Sequence, residues 1–171
     1  MKKRVISILL CIALCAALAA CGGNAEKAAE PTEQYSFAAV PLTDEEQEIV
    51  SLIGDDVIAV SDADYVSTVT EILYHGKSHA GMVFQLEGTL TVDGETAALS
   101  RNLVSDKETK VLELPLRYMN KEIGSGAWVR VTGIAAVNDD GQSVLDVVAI
   151  ECLAQQGQAN MSWDGGEIHQ H

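Results

Sequence analysis

Residues 82–104 read MVFQLEGTLTVDGETAALSRNLV, and this stretch decides the fold. From Met82 onward apolar residues fall at alternate positions, Met82, Phe84, Leu86, Leu90 and Val92, the period of a strand with one face turned inward. Asp93-Gly94 is a strong two-residue hairpin signal, because glycine adopts the positive φ that a twist-matched turn requires. Thr96 to Val104 is then the return strand.

Three further strands follow in the same idiom. Val111 to Tyr118 sets Leu112, Leu114, Leu116 and Tyr118 on one face and Pro115 on the other, and a proline without an N–H belongs at an edge or a barrel gap. Ala127 to Val137 turns Val129, Val131, Ala135 and Val137 inward, and Asn138-Asp139-Asp140-Gly141 reverses it into a last strand, Val144 to Leu153. A mid-strand glycine, Gly88 or Gly133, permits a bulge and sharp coiling. Together these features predict a mainly β chain built as a small five-stranded Greek-key barrel of the OB type, with a β-sandwich as the alternative.

Two short helices precede the barrel. Thr43 with Glu46 three residues later, and acids in the first turn, predicts a capped helix to Leu52 with Ile49, Leu52 and Ile53 on one side and Gly54 as its stop. Val57 to Val60 reads as a short strand. Ser61-Asp62-Ala63-Asp64 is a second capping pattern, feeding Tyr65, Val66, Val69, Ile72 and Leu73 on one helical face, and His75-Gly76 ends that helix.

The N-terminal region carries an address rather than a fold. Met1-Lys2-Lys3-Arg4, an apolar run from Val5 to Ala20 that is short for a spanning helix, and Leu18-Ala19-Ala20-Cys21-Gly22 form the pattern of a bacterial lipoprotein signal. The expected organisation is a signal peptide at 1–20, a lipidated (palmitate-bearing) Cys21 with a flexible tether at 21–41, the barrel domain with its helices at 42–153, and a flexible tail at 154–171. The expected location is the extracytoplasmic face of the cell membrane. Cys152 then stands alone in the mature domain, so no internal disulfide is available and the core must supply the stability.

Removal of residues 1–20 leaves 8 basic against 25 acidic residues, a formal charge of −17. A phosphate-backbone binder needs a basic face, and Lys and Arg are scattered singly, so no nucleic-acid partner is expected.

Candidate sites are few. Trp128, Arg130 and Thr132 share the face opposite Val129 and Val131, and an exposed Trp beside an Arg is a good anchor pair for a partner. The alternative has Trp128 covering the barrel end or packing on the Tyr65 helix. His169 and His171, joined by His75 and His79, supply four imidazoles for a zinc or other divalent metal, although nothing in the sequence requires the two regions to meet. No other cofactor is implied. Cys152 alternates with Val148 and Ile150 and reads as core, and Asn138–Gly141 lacks the oxygen spacing of a calcium loop. No nucleophile elbow, metalloprotease helix or phosphate loop is present, so catalysis is not expected.

Tyr74-His75-Gly76-Lys77, Arg101 and Trp128-Val129-Arg130-Val131-Thr132-Gly133 resemble a family described as the small soluble subunit of a two-component permease. The resemblance spans about residues 57 to 153 and implies an OB-like extracytoplasmic domain that works with a multispanning permease in zinc homeostasis. Two departures stand against it: Asn102-Leu103-Val104 follows Arg101 where the family carries paired cysteines, and Lys77 lies far from Gly88. Gly126 to Gly133 together with Ile150-Glu151-Cys152 is also similar to small secreted bacterial OB-fold domains, which share no ligand. The sequence therefore leads to a lipid-anchored binding or accessory subunit associated with a permease. A metal-binding surface lipoprotein and a generic OB-fold binding module are the alternatives.

Overall fold

A computed structural model describes residues 38–117 and 123–163. The signal peptide, Cys21, most of the tether, Tyr118, and the histidines at 169 and 171 lie outside the described residues.

The elements run α1 (Asp44–Ile53), a 3-10 turn (Gly54–Asp56), β1 (Val57–Ala59), α2 (Tyr65–Tyr74), α3 (Gly76–His79), β2 (Val83–Asp93), β3 (Thr96–Val104), β4 (Thr109–Arg117), β5 (Trp128–Val137), β6 (Ser143–Cys152) and β7 (Asn160–Ser162). The capping box at Thr43 forms as expected: Thr43 Oγ1 accepts from the Glu46 N–H, and Glu46 Oε2 accepts from the Thr43 N–H at 2.8 Å. The second pattern does not cap its helix. Ser61 Oγ instead donates to Asp64 Oδ2 at 2.6 Å, closing a local turn, and Asp62 is drawn to Arg101.

β2 holds the barrel together by changing partners along its length. Its first part, Val83 to Thr89, pairs antiparallel with β5, and its last part, Thr89 to Asp93, pairs antiparallel with β3. The exchange occurs beside Gly88, where a Cβ would sit 2.9 Å from Leu99 Cγ and 3.0 Å from the Ser100 carbonyl, so only glycine admits β3 this closely. β3 pairs with β4 over its full length, β5 with β6, and β4 meets β6 in parallel only at Leu116–Leu145 and Arg117–Asp146. That narrow seam is the gap at which Pro115 was expected. The ring β2-β3-β4-β6-β5 is the Greek-key connectivity of an OB barrel, and the sandwich alternative falls away. The bulge lies at Thr132/Gly133, where the β5–β6 register slips by one residue.

The core combines Leu86, Leu90, Leu99, Leu103, Leu114, Val129, Val131, Leu145 and Ile150 of the barrel with Tyr65, Val69 and Ile72 of α2. Burial fades at the element ends. Met82 and Val92 are exposed although their parity is inward, and Leu52 is 80 % exposed, so the expected apolar side of α1 stops short of it.

The expected flexible tail at 154–171 is also corrected as far as it is described. Asn160–Ser162 pairs in parallel with Asn102–Val104, Met161 is buried and Trp163 packs on the core. The apolar Met161 and Trp163, spaced by two, supply the period-2 anchor that the Gln- and Gly-rich surroundings mask.

Candidate functional site

Beyond the Thr89–Ser100 pair β2 and β3 diverge, and the opening is flanked by β1 along Val83–Gln85 and by β7 along Asn102–Val104. Arg101 fills it. Its Nε donates to the Glu87 carbonyl at 2.8 Å, and its Nη1 donates to Asp62 Oδ1 at 2.5 Å and lies 3.4 Å from Met161 Sδ. The guanidinium carbon sits 4.1 Å from the Tyr65 ring centroid and 5.1 Å from that of Trp128. This one residue bonds β2, the turn before α2 and β7, and its planar fork suits that role where a lysine would not.

The outward row of Trp128, Arg130 and Thr132 is largely closed. Trp128 and Thr132 are each 3 % exposed, which corrects the expectation of an open docking pair. The Trp128 indole N–H donates to Glu87 Oε2 at 3.3 Å, and Gly157 lies so close to the ring that a Cβ there would be 2.9 Å from Cζ2. Thr132 Oγ1 accepts from Gln85 Nε2. Arg130, half-exposed, bonds Glu87 Oε1 and Glu151 Oε1 at 2.7 Å. Partial burial lowers its pKa, but the hydrogen bond and charge of Glu87, then those of Glu151, more than offset this and hold it above the ordinary value. The crossing chain after Cys152 covers Trp128, a cover that a flexible tail would not supply.

His75 and His79 fall on the short α3, where His79 Nδ1 lies 3.1 Å from the His75 carbonyl and its ring 6.2 Å from Phe84. Among the described residues no group of three or more His, Cys, Asp or Glu is arranged to hold a metal ion. Cys152 is a buried free thiol, raised in pKa by burial, beside the Val40 backbone that pairs with its own. Asn138–Gly141 is a hairpin turn, with Asn138 Oδ1 accepting from Asp140 and Gln142 N–H groups.

An open surface lies elsewhere, on the outer side of β3 and β4. Register places Thr89, Ser100 and Glu113 in one row, Asn160, Asn102 and Val111 in the next, and Ser162, Val104 and Thr109 in a third. A groove of about 340 Å³ is lined by Thr89, Thr91, Ser100, Arg101, Asn102, Val111, Glu113 and Ala159. A second of about 690 Å³ lies over Val104, the Ser105–Glu108 loop and Gln158–Trp163. The two share no lining residue: the second is bounded by the β3–β4 loop and β7, and the first is the one on the β3–β4 face. Its signal in the sequence was the polar parity of Thr89, Thr91, Ser100 and Asn102, opposite the apolar parity that gave the strands.

No family model matches the chain, and no curated protein matches it. Among solved structures it is similar to a replication protein A heterotrimer bound to single-stranded DNA, at 16% identity and a TM-score of 0.27 over 43% of this chain and 57% of that one. It is also similar to yeast replication protein A bound to single-stranded DNA, at 18% identity and a TM-score of 0.39 over 61% of this chain and 82% of that one. The chain thus spans little more than half the length of the first. Both structures hold single-stranded DNA, and they correct the expectation that nucleic acid is excluded as a partner. The physical fault in that expectation is that net charge sums over the chain while binding reads a local field. Nine of the 25 acids, from Glu26 to Asp56, precede β1 and say nothing about the barrel face. Likenesses this weak do not assign a ligand, and the barrel connectivity stands on the strand pairings themselves.

Proposed function

We propose that the chain is a ligand-binding module, held at the extracytoplasmic face of a membrane by an acylated Cys21, with its ligand laid across the outer surface of β3 and β4. The observation that carries the binding half is the open groove over Thr89, Thr91, Asn102 and Val111 on that surface, since OB barrels use this face and its flanking loops to hold extended polymers. The anchoring half rests on the basic start, the apolar run and the small residues before Cys21. Several acyl chains on one cysteine hold firmly where one holds marginally.

Two measurements test it. Palmitate labelling in cells marks the wild-type chain and is lost in Cys21→Ala, together with recovery in the membrane fraction; equal labelling of both overturns the anchor. NMR spectra of the full chain, titrated with a panel of soluble oligosaccharides, oligonucleotides and peptides, shift at Thr89, Thr91, Asn102 and Val111. Shifts confined to other faces, or none with any probe, overturn the binding reading.

A further inference from the structure

We infer that the outer edge of β7 is a docking site for an extended peptide, added to the sheet as a further strand, and that this site is separate from the β3–β4 face. The first ground is the direction of the main-chain groups. β7 is the last strand of the sheet, and among the described residues it pairs with β3 alone. The Ala159 carbonyl accepts from the Asn102 N–H, and the Trp163 N–H donates to the Val104 carbonyl, each at 2.9 Å. Residues of a parallel strand that bond one neighbour are two apart, so Met161 also faces β3, while Asn160 and Ser162 turn their N–H and C=O groups to the opposite edge. Both residues are exposed. The Asn160 carbonyl accepts from Gln158 Nε2 at 3.2 Å, so a side-chain amide stands where the N–H of an added strand would.

The second ground is that this edge borders a formed groove. Asn160 and Ser162 both line the cavity of about 690 Å³ beside the β3–β4 loop. Another wall is the Ser105–Glu108 turn, held in shape by its own bonds: the Ser105 N–H donates to the Glu108 carbonyl at 2.9 Å, and Ser105 Oγ accepts from the Glu108 N–H at 3.2 Å. Val104, 37% exposed, and Trp163 add apolar lining. Glu108 is paired with Lys110 at 3.1 Å, and Asp106 and Lys107 are of opposite formal charge, so the groove imposes no net charge on its ligand. Binding then falls to main-chain pairing and an apolar side chain. The third ground is the contrast with the other end of the sheet. Exposed Asp55 and Asp56 lead directly into β1, and charges beside an edge strand oppose a further strand. β7 carries neither charge nor proline. Its three residues limit the partner to a short stretch of chain.

The test is NMR on the full chain, titrated with capped heptapeptides in which Thr alternates with Val or with Phe, beside versions N-methylated at one or the other set of alternate residues. The expected result is that at least one parent peptide shifts the Asn160 and Ser162 amides and protects them from hydrogen exchange. N-methylation of one set weakens binding tenfold or more, and N-methylation of the other set does not. Ser162→Pro removes an edge N–H that takes no part in the β3 ladder, so it gives the same loss while its thermal unfolding stays near that of the wild type. Binding indifferent to both methylated sets overturns strand addition, whatever Ser162→Pro does. Peptide shifts confined to Thr89, Thr91, Asn102 and Val111 overturn the inference and leave the reading of the β3–β4 face standing. Failure of every peptide to shift Asn160 or Ser162 also overturns it, and a dimer in sedimentation that Ser162→Pro abolishes would then make a second copy the occupant.

Discussion

The Arg101 guanidinium lies 4.1 Å over the Tyr65 ring, joining the inner edge of β3 to the first turn of α2. A buried arginine in a strand flanked by Leu99 and Leu103 costs desolvation, and the stacking, the bond to the Glu87 carbonyl and the pair with Asp62 offset it. Arg101→Ala leaves the Glu87 carbonyl unpaired and a void between two aromatic rings. Its expected cost is about 3 kcal/mol of unfolding free energy. Arg101→Lys keeps the charge and loses the plane, so its urea midpoint falls between those of the wild type and the alanine variant. Equal midpoints for lysine and wild type would show that charge alone holds the opening between β2 and β3.

Tyr65 supplies the second prediction. Its hydroxyl is the buried side-chain oxygen left without a partner among the described residues, and burial raises its pKa above 10 while the Arg101 charge only partly offsets that rise. A group whose folded pKa is raised contributes its stability fully below the unfolded pKa and loses it as pH climbs. Stability therefore falls above pH about 10, where the unfolded tyrosine ionises and the folded one resists. Tyr65→Phe removes both the orphan hydroxyl and this linkage. It should gain about 1 kcal/mol at neutral pH and show a shallower alkaline decline in denaturant titrations.

The strand pattern was legible in the sequence because the barrel is half-buried on every strand, and burial leaves a period of two. Thr96–Val104 and its hairpin emerge with their expected bounds for that reason. What the period could not reveal is where the outward parity is covered. Trp128 and Thr132 alternate correctly with Val129 and Val131, yet both are buried, Trp128 because a chain segment without strand periodicity crosses over its ring. The same blind spot hid β7, three residues long, and with it one wall of the groove beside the β3–β4 loop. Arg101 drew notice only through the family resemblance, since an arginine at inward parity reads as a defect until its partners are in place.

Gly133 and Gly94 separate two reasons for a glycine. At Gly133 an added Cβ would lie 2.6 Å from Leu145 Cγ and 2.9 Å from the Asp146 carbonyl, beside the bulge, and the backbone oxygen cannot swing aside. Gly94 has open space around it and a φ of 60°. Gly133→Ala is expected to cost about 2–3 kcal/mol through overpacking. Gly94→Ala should cost nearer ~1 kcal/mol through backbone strain alone. Thermal unfolding of the two variants ranks them, and the reverse order would place the critical constraint in the turn rather than in the seam between β5 and β6.

Glu46 ties the first helix to the barrel with one carboxylate. Oε2 accepts from the Thr43 N–H at 2.8 Å and Oε1 accepts from the Ile150 N–H of β6 at 3.1 Å, so the capping box also serves as a clamp. Thr43→Ala removes a single cap bond and should cost about 1 kcal/mol. Glu46→Ala removes the reciprocal bond and strands the Ile150 N–H, for an expected loss of about 2 kcal/mol. Because the two residues share the box, the double variant should lose less than the sum of the singles. Strict additivity in a double-mutant cycle would mean that Glu46 acts on β6 independently of the cap, and that α1 is docked by its carboxylate alone.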